Sequence, residues 1–312
     1  MWQPCAVKGK KRWKVAGISI AALVFAAGRL LWPAPEPVYQ GKSLSYWLHD
    51  TDVTWGGYWR LLRPEAKSAV RAIGTNAIPT LLKLVSARDA PLTGKINSFL
   101  MHVPWVSFRF ETVSRKRMDA SNGFLVLGPL GKDAVPGLLR MYTRTPHDQE
   151  QRQTIVAIFG NMRSAAEDSV PYLVHDLANE PDNNLRASIA YSLGTISTRT
   201  EIVIPALIAA LSDSAFHVRE RAVDALGELH AQPESVIPAL VAMLRNDNAD
   251  LTYQVTVALG EFGPMARAAL PIVKRMVFEG ELQVSSTRQY LVAKSALAKI
   301  EPSNSELCDF PN

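Results

Sequence analysis

Six histidines and two cysteines are the side chains of this chain best suited to hold a metal ion or act as nucleophiles. Three of the histidines precede an aspartate: His49-Asp50, His147-Asp148 and His175-Asp176. Imidazole and carboxylate together can ligate a divalent ion, but the ligand atoms must converge within ~2–2.5 Å of it. Cys5 and Cys308 stand at opposite ends of the chain and form neither a metal-ligand spacing nor a C-x-x-C redox pair. There is no G-x-S-x-G elbow, P-loop, H-E-x-x-H pair or dinucleotide fingerprint. The reading is therefore no catalytic residue, no cofactor, no metal site and no enzyme.

The elements that would position such residues are set by prolines. Pro136, Pro171, Pro205, Pro238 and Pro271 follow one another at 35, 34, 33 and 33 residues, with Pro79 before them. Gly160, Gly194, Gly227 and Gly260 each precede the next proline by 11 residues. A fixed period in the 30s marks stacked units that cannot bury their apolar faces alone. The His-Asp pairs are out of register with this period, so they would not converge.

Around each proline, positions −1, +2 and +6 are apolar, as in Ile204, Leu207 and Leu211 or Val135, Leu138 and Tyr142. That spacing traces one stripe of an α-helix with proline in its first turn. A second stripe ends at Phe159, Leu193, Leu226 and Leu259, just before the glycines, with Ala225 and Ala258 small enough for close helix contact. Each unit reads as a helical hairpin. No run alternates with period two, so no sheet is expected. The fold class is all-α, an α-solenoid.

Ile204-Pro-Ala-Leu-Ile-Ala-Ala-Leu-Ser-Asp213, Val218-Arg219 and Ala225-Leu226-Gly227, with the matching Ile237 to Leu244 and Ala258 to Gly260, resemble HEAT repeats, including the short phycobilin-lyase-like form. The likeness covers about residues 65 to 300. The leader followed by Tyr39 to Leu48 and Ile73 to Leu82 resembles a group of bacterial membrane-anchored HEAT proteins. The resemblance implies that Arg152, Arg186 and Arg219, each eight residues before its glycine, brace adjacent repeats, with Asp213 as the loop aspartate. Thr252 interrupts that series, and Asn179 and Asn246 stand at the aspartate position in other units. A stack of arginines binding an anionic ligand is the alternative. Deoxyhypusine hydroxylase, an enzyme built on HEAT repeats, holds iron through His-Glu pairs, and this chain has none.

Pro79 to Pro136 spans 57 residues, which places an insertion at about 88–121. It contains Trp105, Phe108 and Phe110 among Arg109, Arg115, Lys116 and Arg117. Basic residues among aromatics suit a membrane surface or single-stranded nucleic acid. The bland reading is a longer excursion with a solvated charge run. The charge balance argues against nucleic acid: the formal net charge is +5, but six cations and no acid fall in residues 1–32, leaving the remainder slightly negative.

Those cations precede and end an apolar run from Val15 to Trp32, nearly the ~20 residues that cross a bilayer. Residues 1–32 read as a signal anchor or a cleaved signal peptide, both placing the repeats outside the cytoplasm, on the periplasmic side. Contact with the membrane would run through residues 13–32. Residues 33–43 read as a Pro-rich linker, 44–64 as a capping helix and aromatic loop around Trp55 to Trp59, 65–302 as the solenoid and 303–312 as a tail. Ser43 is placed to cap the helix Leu44 to His49, with Tyr46 and Trp47 as its anchors.

The second helices present one further face. Tyr191, then Glu220, Asp224 and Glu228, then Tyr253, Val257 and Glu261 share it at i, i+4 spacing. An acidic centre between two tyrosines would suit a basic or extended polypeptide. The function expected is a membrane-tethered scaffold or adaptor for another protein. The alternatives are a HEAT-repeat enzyme or enzyme accessory, and a membrane-surface module acting through 88–121.

Overall fold

The computed structural model describes residues 36–53, 60–88, 111–145, 147–244, 249–278 and 287–302. The compact unit considered below begins at Val38. It opens with a ribbon, β1 (Val38–Tyr39) against β2 (Lys42–Ser43), followed by α1 (Leu44–His49). A second ribbon pairs β3 (Thr51–Val53) with β4 (Arg60–Leu62). Then come α2 (Pro64–Ile73), α3 (Ile78–Val85), α4 (Val113–Leu127), α5 (Val135–Arg144) and α6 (Gln149–Met162). The array continues through α7 (Val170–Asn179), α8 (Asn183–Ile196), α9 (Thr200–Ala210) and α10 (Phe216–Leu229). It closes with α11 (Pro233–Met243), α12 (Ala249–Glu261), α13 (Leu270–Phe278) and α14 (Thr287–Ile300).

From α3 onward the helices pair into proline-led hairpins, and the second helices, α4 to α14 in even numbers, stack in series. Both apolar stripes are buried: Leu81, Leu138, Leu173, Leu207, Leu240 and Val273 on the first helices, Phe159, Leu193, Leu226 and Leu259 on the second. Helix starts follow from caps. Thr112, Asp148 and Asp182 accept backbone N–H groups of the first turn of α4, α6 and α8.

The glycines lie inside the last turn of these helices rather than after it. A Cβ on Gly194 would meet Ala225 Cβ at 2.7 Å, one on Gly227 would meet Ala258 Cβ at 3.0 Å, and one on Gly260 would meet Ala296 Cβ at 2.5 Å. The glycine thus sets how closely successive second helices approach.

Several expectations are corrected. Two short ribbons are present where no sheet was expected, because ladders of two or three residues are too short to show alternation. Residues 38–43 are not extended spacer: Gln40 and Gly41 take φ of 50° and 73°, the left-handed pair that closes a tight two-residue hairpin. Pro205 and Pro238 sit inside α9 and α11 rather than in the first turn. There the chain turns through left-handed Ser197 and Arg199, or His230 and Gln232, and enters the helix early, whereas the other first helices follow 3-10 connectors such as 128–134. Helix α4 begins at Val113, so residues 113–121 belong to the array and not to the insertion.

Ser43 does cap α1, accepting from the Tyr46 amide. Trp47 is buried and donates through Nε1 to the Tyr39 carbonyl at 3.2 Å, while Tyr46 is exposed. The leader 1–32, the loop Trp55–Trp59, the aromatics Trp105, Phe108 and Phe110, Asn246 and the tail 303–312 lie outside the described residues. No helix among the described residues is long and apolar enough to cross a membrane.

Candidate functional site

The arginines form a structural ladder. Each fastens to carbonyls of its own hairpin loop, to a carboxylate of the next one, or to both. Arg186 donates to Glu180 O at 2.8 Å and Pro181 O at 3.1 Å, and grips both oxygens of Asp213 at 2.8 Å. Arg152 reaches Asp176 at 2.7 Å and also Glu180. Burial, with help from the Asp176 carboxylate, pushes the Tyr142 phenol far above its ordinary range, so it remains a donor to Asp176 at 2.6 Å. Arg219 donates to Asp213 O at 2.7 Å and Ser214 O at 3.0 Å; the next loop, 245–248, lies outside the described residues.

The ladder has a rung that sequence reading missed. Arg117, assigned there to a solvated charge run, is only 4% exposed and holds Asp148 at 2.6 Å and the Ala87 carbonyl at 3.3 Å. It lies 35 residues before Arg152. The glycine that would have marked its register is replaced by Leu125.

A groove of about 720 Å³ runs across α4, α6, α8 and α10. Its walls are amides, hydroxyls and apolar groups: Asn122 and Leu125, then Gln153, Ala157 and Asn161, then Asn184, Ser188 and Tyr191. His217 and Arg221 stand at its α10 end, and no carboxylate lines it. Gln153 and Asn161 occupy the repeat positions of Glu220 and Glu228 two units earlier. That register extended toward the N-terminus was the signal available.

Of the residues expected to bind a partner, only Tyr191 lines this groove, 47% exposed with the Arg221 guanidinium 5.6 Å from its ring centre. The acidic centre is less open than expected. Glu220 accepts from Gln254 at 2.6 Å and pairs with His217 at 3.0 Å; burial opposes its charge, but these two contacts hold its carboxyl below the usual value. Asp224 is half-buried beside Arg221, and burial, reinforced by Glu220 and Glu228, raises its carboxyl. Glu261 is neutralised by Lys299 at 2.7 Å. Glu228 is exposed, and Tyr253 and Val257 are half-buried.

The His-Asp pairs are dispersed. Asp148 serves Arg117 and the α6 cap, Asp176 serves Arg152, and Asp50 lies 3.6 Å from Arg63.

A family model for HEAT repeats matches residues 170–260 and 204–281. Among solved structures, an engineered protein is similar at 18% identity and a TM-score of 0.50, over 78% of this chain and 62% of that one. The chain therefore spans less than two thirds of that protein's length. Kap121p bound to the extreme C-terminus of the protein phosphatase Cdc14p is similar at 15% identity and a TM-score of 0.49, over 79% and 30%. The CpcE–CpcF complex of phycocyanin lyase from a Nostoc species is similar at 16% identity and a TM-score of 0.39, over 86% and 100%. No curated protein sequence matches the chain. Repeat match and architecture together define a HEAT-like helical solenoid.

Proposed function

We propose that this chain is a non-catalytic scaffold that holds an extended segment of another protein in the second-helix groove. We further propose that residues 13–32 tether it to a membrane, with the repeats outside the cytoplasm, as the cation-led apolar run suggests. The observation carrying the reading is the groove's lining. Gln153, Asn161 and Asn184 each present a donor and an acceptor. An extended backbone has unpaired N–H and C=O groups to meet them, whereas helices and sheets have satisfied theirs. Tyr191 supplies a large, stiff anchor midway.

Four helices spaced about 9 Å apart give a floor of roughly 27 Å, enough for about eight extended residues. Any basic part of the ligand would lie beyond Arg221, toward Glu228. The test is a photo-crosslinking residue at Ala157, with one at Tyr172 on a first helix as control. Crosslinks to one peptide segment from position 157, lost with Tyr191→Ala, support the reading. Equal capture from both positions, or indifference to Tyr191→Ala, sinks it.

A further inference from the structure

His49 ends α1, and its ring is held from behind. Nδ1 lies 2.5 Å from the Ser45 carbonyl, which can only accept, so Nδ1 carries the hydrogen. In the neutral ring Nε2 then presents its lone pair. That nitrogen faces two carboxylates: Glu111, in direct contact, and Asp119 Oδ2 at 3.5 Å. One lone pair from each residue can be chosen so that all three ligand atoms lie within 4.8 Å of one another.

Lone pairs gathered in this way repel unless a cation lies among them. Arg115 supplies one charge, with Nε 3.2 Å from Asp119 Oδ2, and offsets only one of the two carboxylates. The independent observation is Asp119 itself. Its side chain is 2% exposed, its Oδ2 faces the imidazole, and its Oδ1, 3.1 Å from Arg115 Nε, accepts no hydrogen bond in good geometry. One guanidinium nitrogen thus serves both oxygens of a buried carboxylate, and lone pairs left unmet there cost free energy unless a second positive group meets them.

We propose that His49, Glu111 and Asp119 form a binding site for a first-row divalent metal ion. One imidazole nitrogen with two carboxylate oxygens suits zinc or manganese. The carbonyl behind Nδ1 fixes the ring as outer partners of metal-bound histidines do. Ligand bonds of about 2.0–2.2 Å place neighbouring ligand atoms of a tetrahedral ion roughly 3.4 Å apart, so the Glu111 oxygen must back away from Nε2 to admit the ion. Glu111, 41% exposed, is free to make that move, and the same exposure leaves an entry path with room for water ligands. The ion would clasp the cap helix to a residue 62 positions later, where the chain re-enters the array. The sequence reading of no metal site missed this set because Glu111 and Asp119 are neither adjacent to a histidine nor in the repeat register.

The other candidate for the space is a proton on Nε2, and the experiment separates the two. The full chain, stripped with chelator, is titrated with zinc chloride alone and then with manganese chloride alone, following heat and melting temperature. Saturable binding of one equivalent of either ion, with a rise in melting temperature, is expected. His49→Ala and Glu111→Gln should each weaken it roughly 100-fold or more. His175→Ala, which removes an exposed imidazole elsewhere, should change nothing. Asp119 is buried, so its variant is unsuitable as the sole test. Absence of saturable binding by the wild-type chain, or equal binding by His49→Ala, overturns the proposal and leaves a protonated His49 bridging two acids.

Discussion

Gly194 and Ala225 meet backbone against backbone: a methyl placed on Gly194 would stand 2.8 Å from the Ala225 α-carbon. No rotamer change relieves that contact, because the opposing atom belongs to the main chain of α10. The same pairing joins Gly227 to Ala258. Successive units are therefore spaced by their smallest residues.

Two glycine substitutions should consequently have opposite outcomes. Gly194→Ala should lower stability by about 1–3 kcal/mol through overpacking. In Gly137→Ala the new methyl meets only the movable end of Leu82 at 3.3 Å. Gly137 lies within α5, so the change should be neutral or stabilising by up to about 1 kcal/mol. Urea denaturation of the two variants beside the wild type checks both signs.

Arg117→Met should destabilise the junction of α4 with α6 by about 2–4 kcal/mol, since it strands Asp148 and the Ala87 carbonyl. Lys116→Met, one residue away, should shift stability by no more than about 0.5 kcal/mol. If both substitutions prove equally mild in thermal melts, Arg117 is not a rung of the ladder.

Acid should loosen the joint between α8 and the loop before α10. The Arg186 guanidinium, assisted by the Ala215 amide, holds the Asp213 carboxyl below its ordinary value of 3.8 despite partial burial. A depressed folded pKa means stability that is present above 3.8 and lost as pH falls through the lower, folded value. Denaturation midpoints should therefore drop below about pH 4, and Asp213→Asn should flatten that part of the profile. An unchanged acid limb in Asp213→Asn would exclude this pair as its source.

Leu226→Ala and Tyr191→Ala should separate folding from binding. Leu226 is fully buried, and its truncation should cost about 2–5 kcal/mol. Tyr191 is exposed, so its loss should leave the melting temperature within a degree or two of wild type while releasing the crosslinked partner. Circular dichroism melts run beside the crosslinking assay read both.

Period, hairpins and buried stripes were legible because each repeats at a fixed offset from a proline, so one misread position is outvoted by five others. The groove was harder to see. Gln153 and Asn161 are unremarkable alone, and Leu125 hides the register of α4. The acidic face was legible as spacing but not as chemistry, since Arg221 and Lys299 neutralise it from neighbouring turns and helices and His217 occupies Glu220. The cluster of His49, Glu111 and Asp119 depends on a tertiary approach across the insertion, which no local pattern encodes.

The left-handed residues ahead of α9 and α11 make this array divisible. Arg199 and Gln232 each end a connector with φ near 50°, immediately before Thr200 and Pro233, and they stand 33 residues apart. The cuts after Arg199 and after Gln232 therefore fall at the same backbone conformation, so residues 200–232 can be removed or duplicated as a cassette without re-aiming the chain. Gly194 would then face Ala258, another alanine, and the column of small contacts would close again. The array behaves as a ruler graduated in whole units, able to change length by one notch while keeping its pitch.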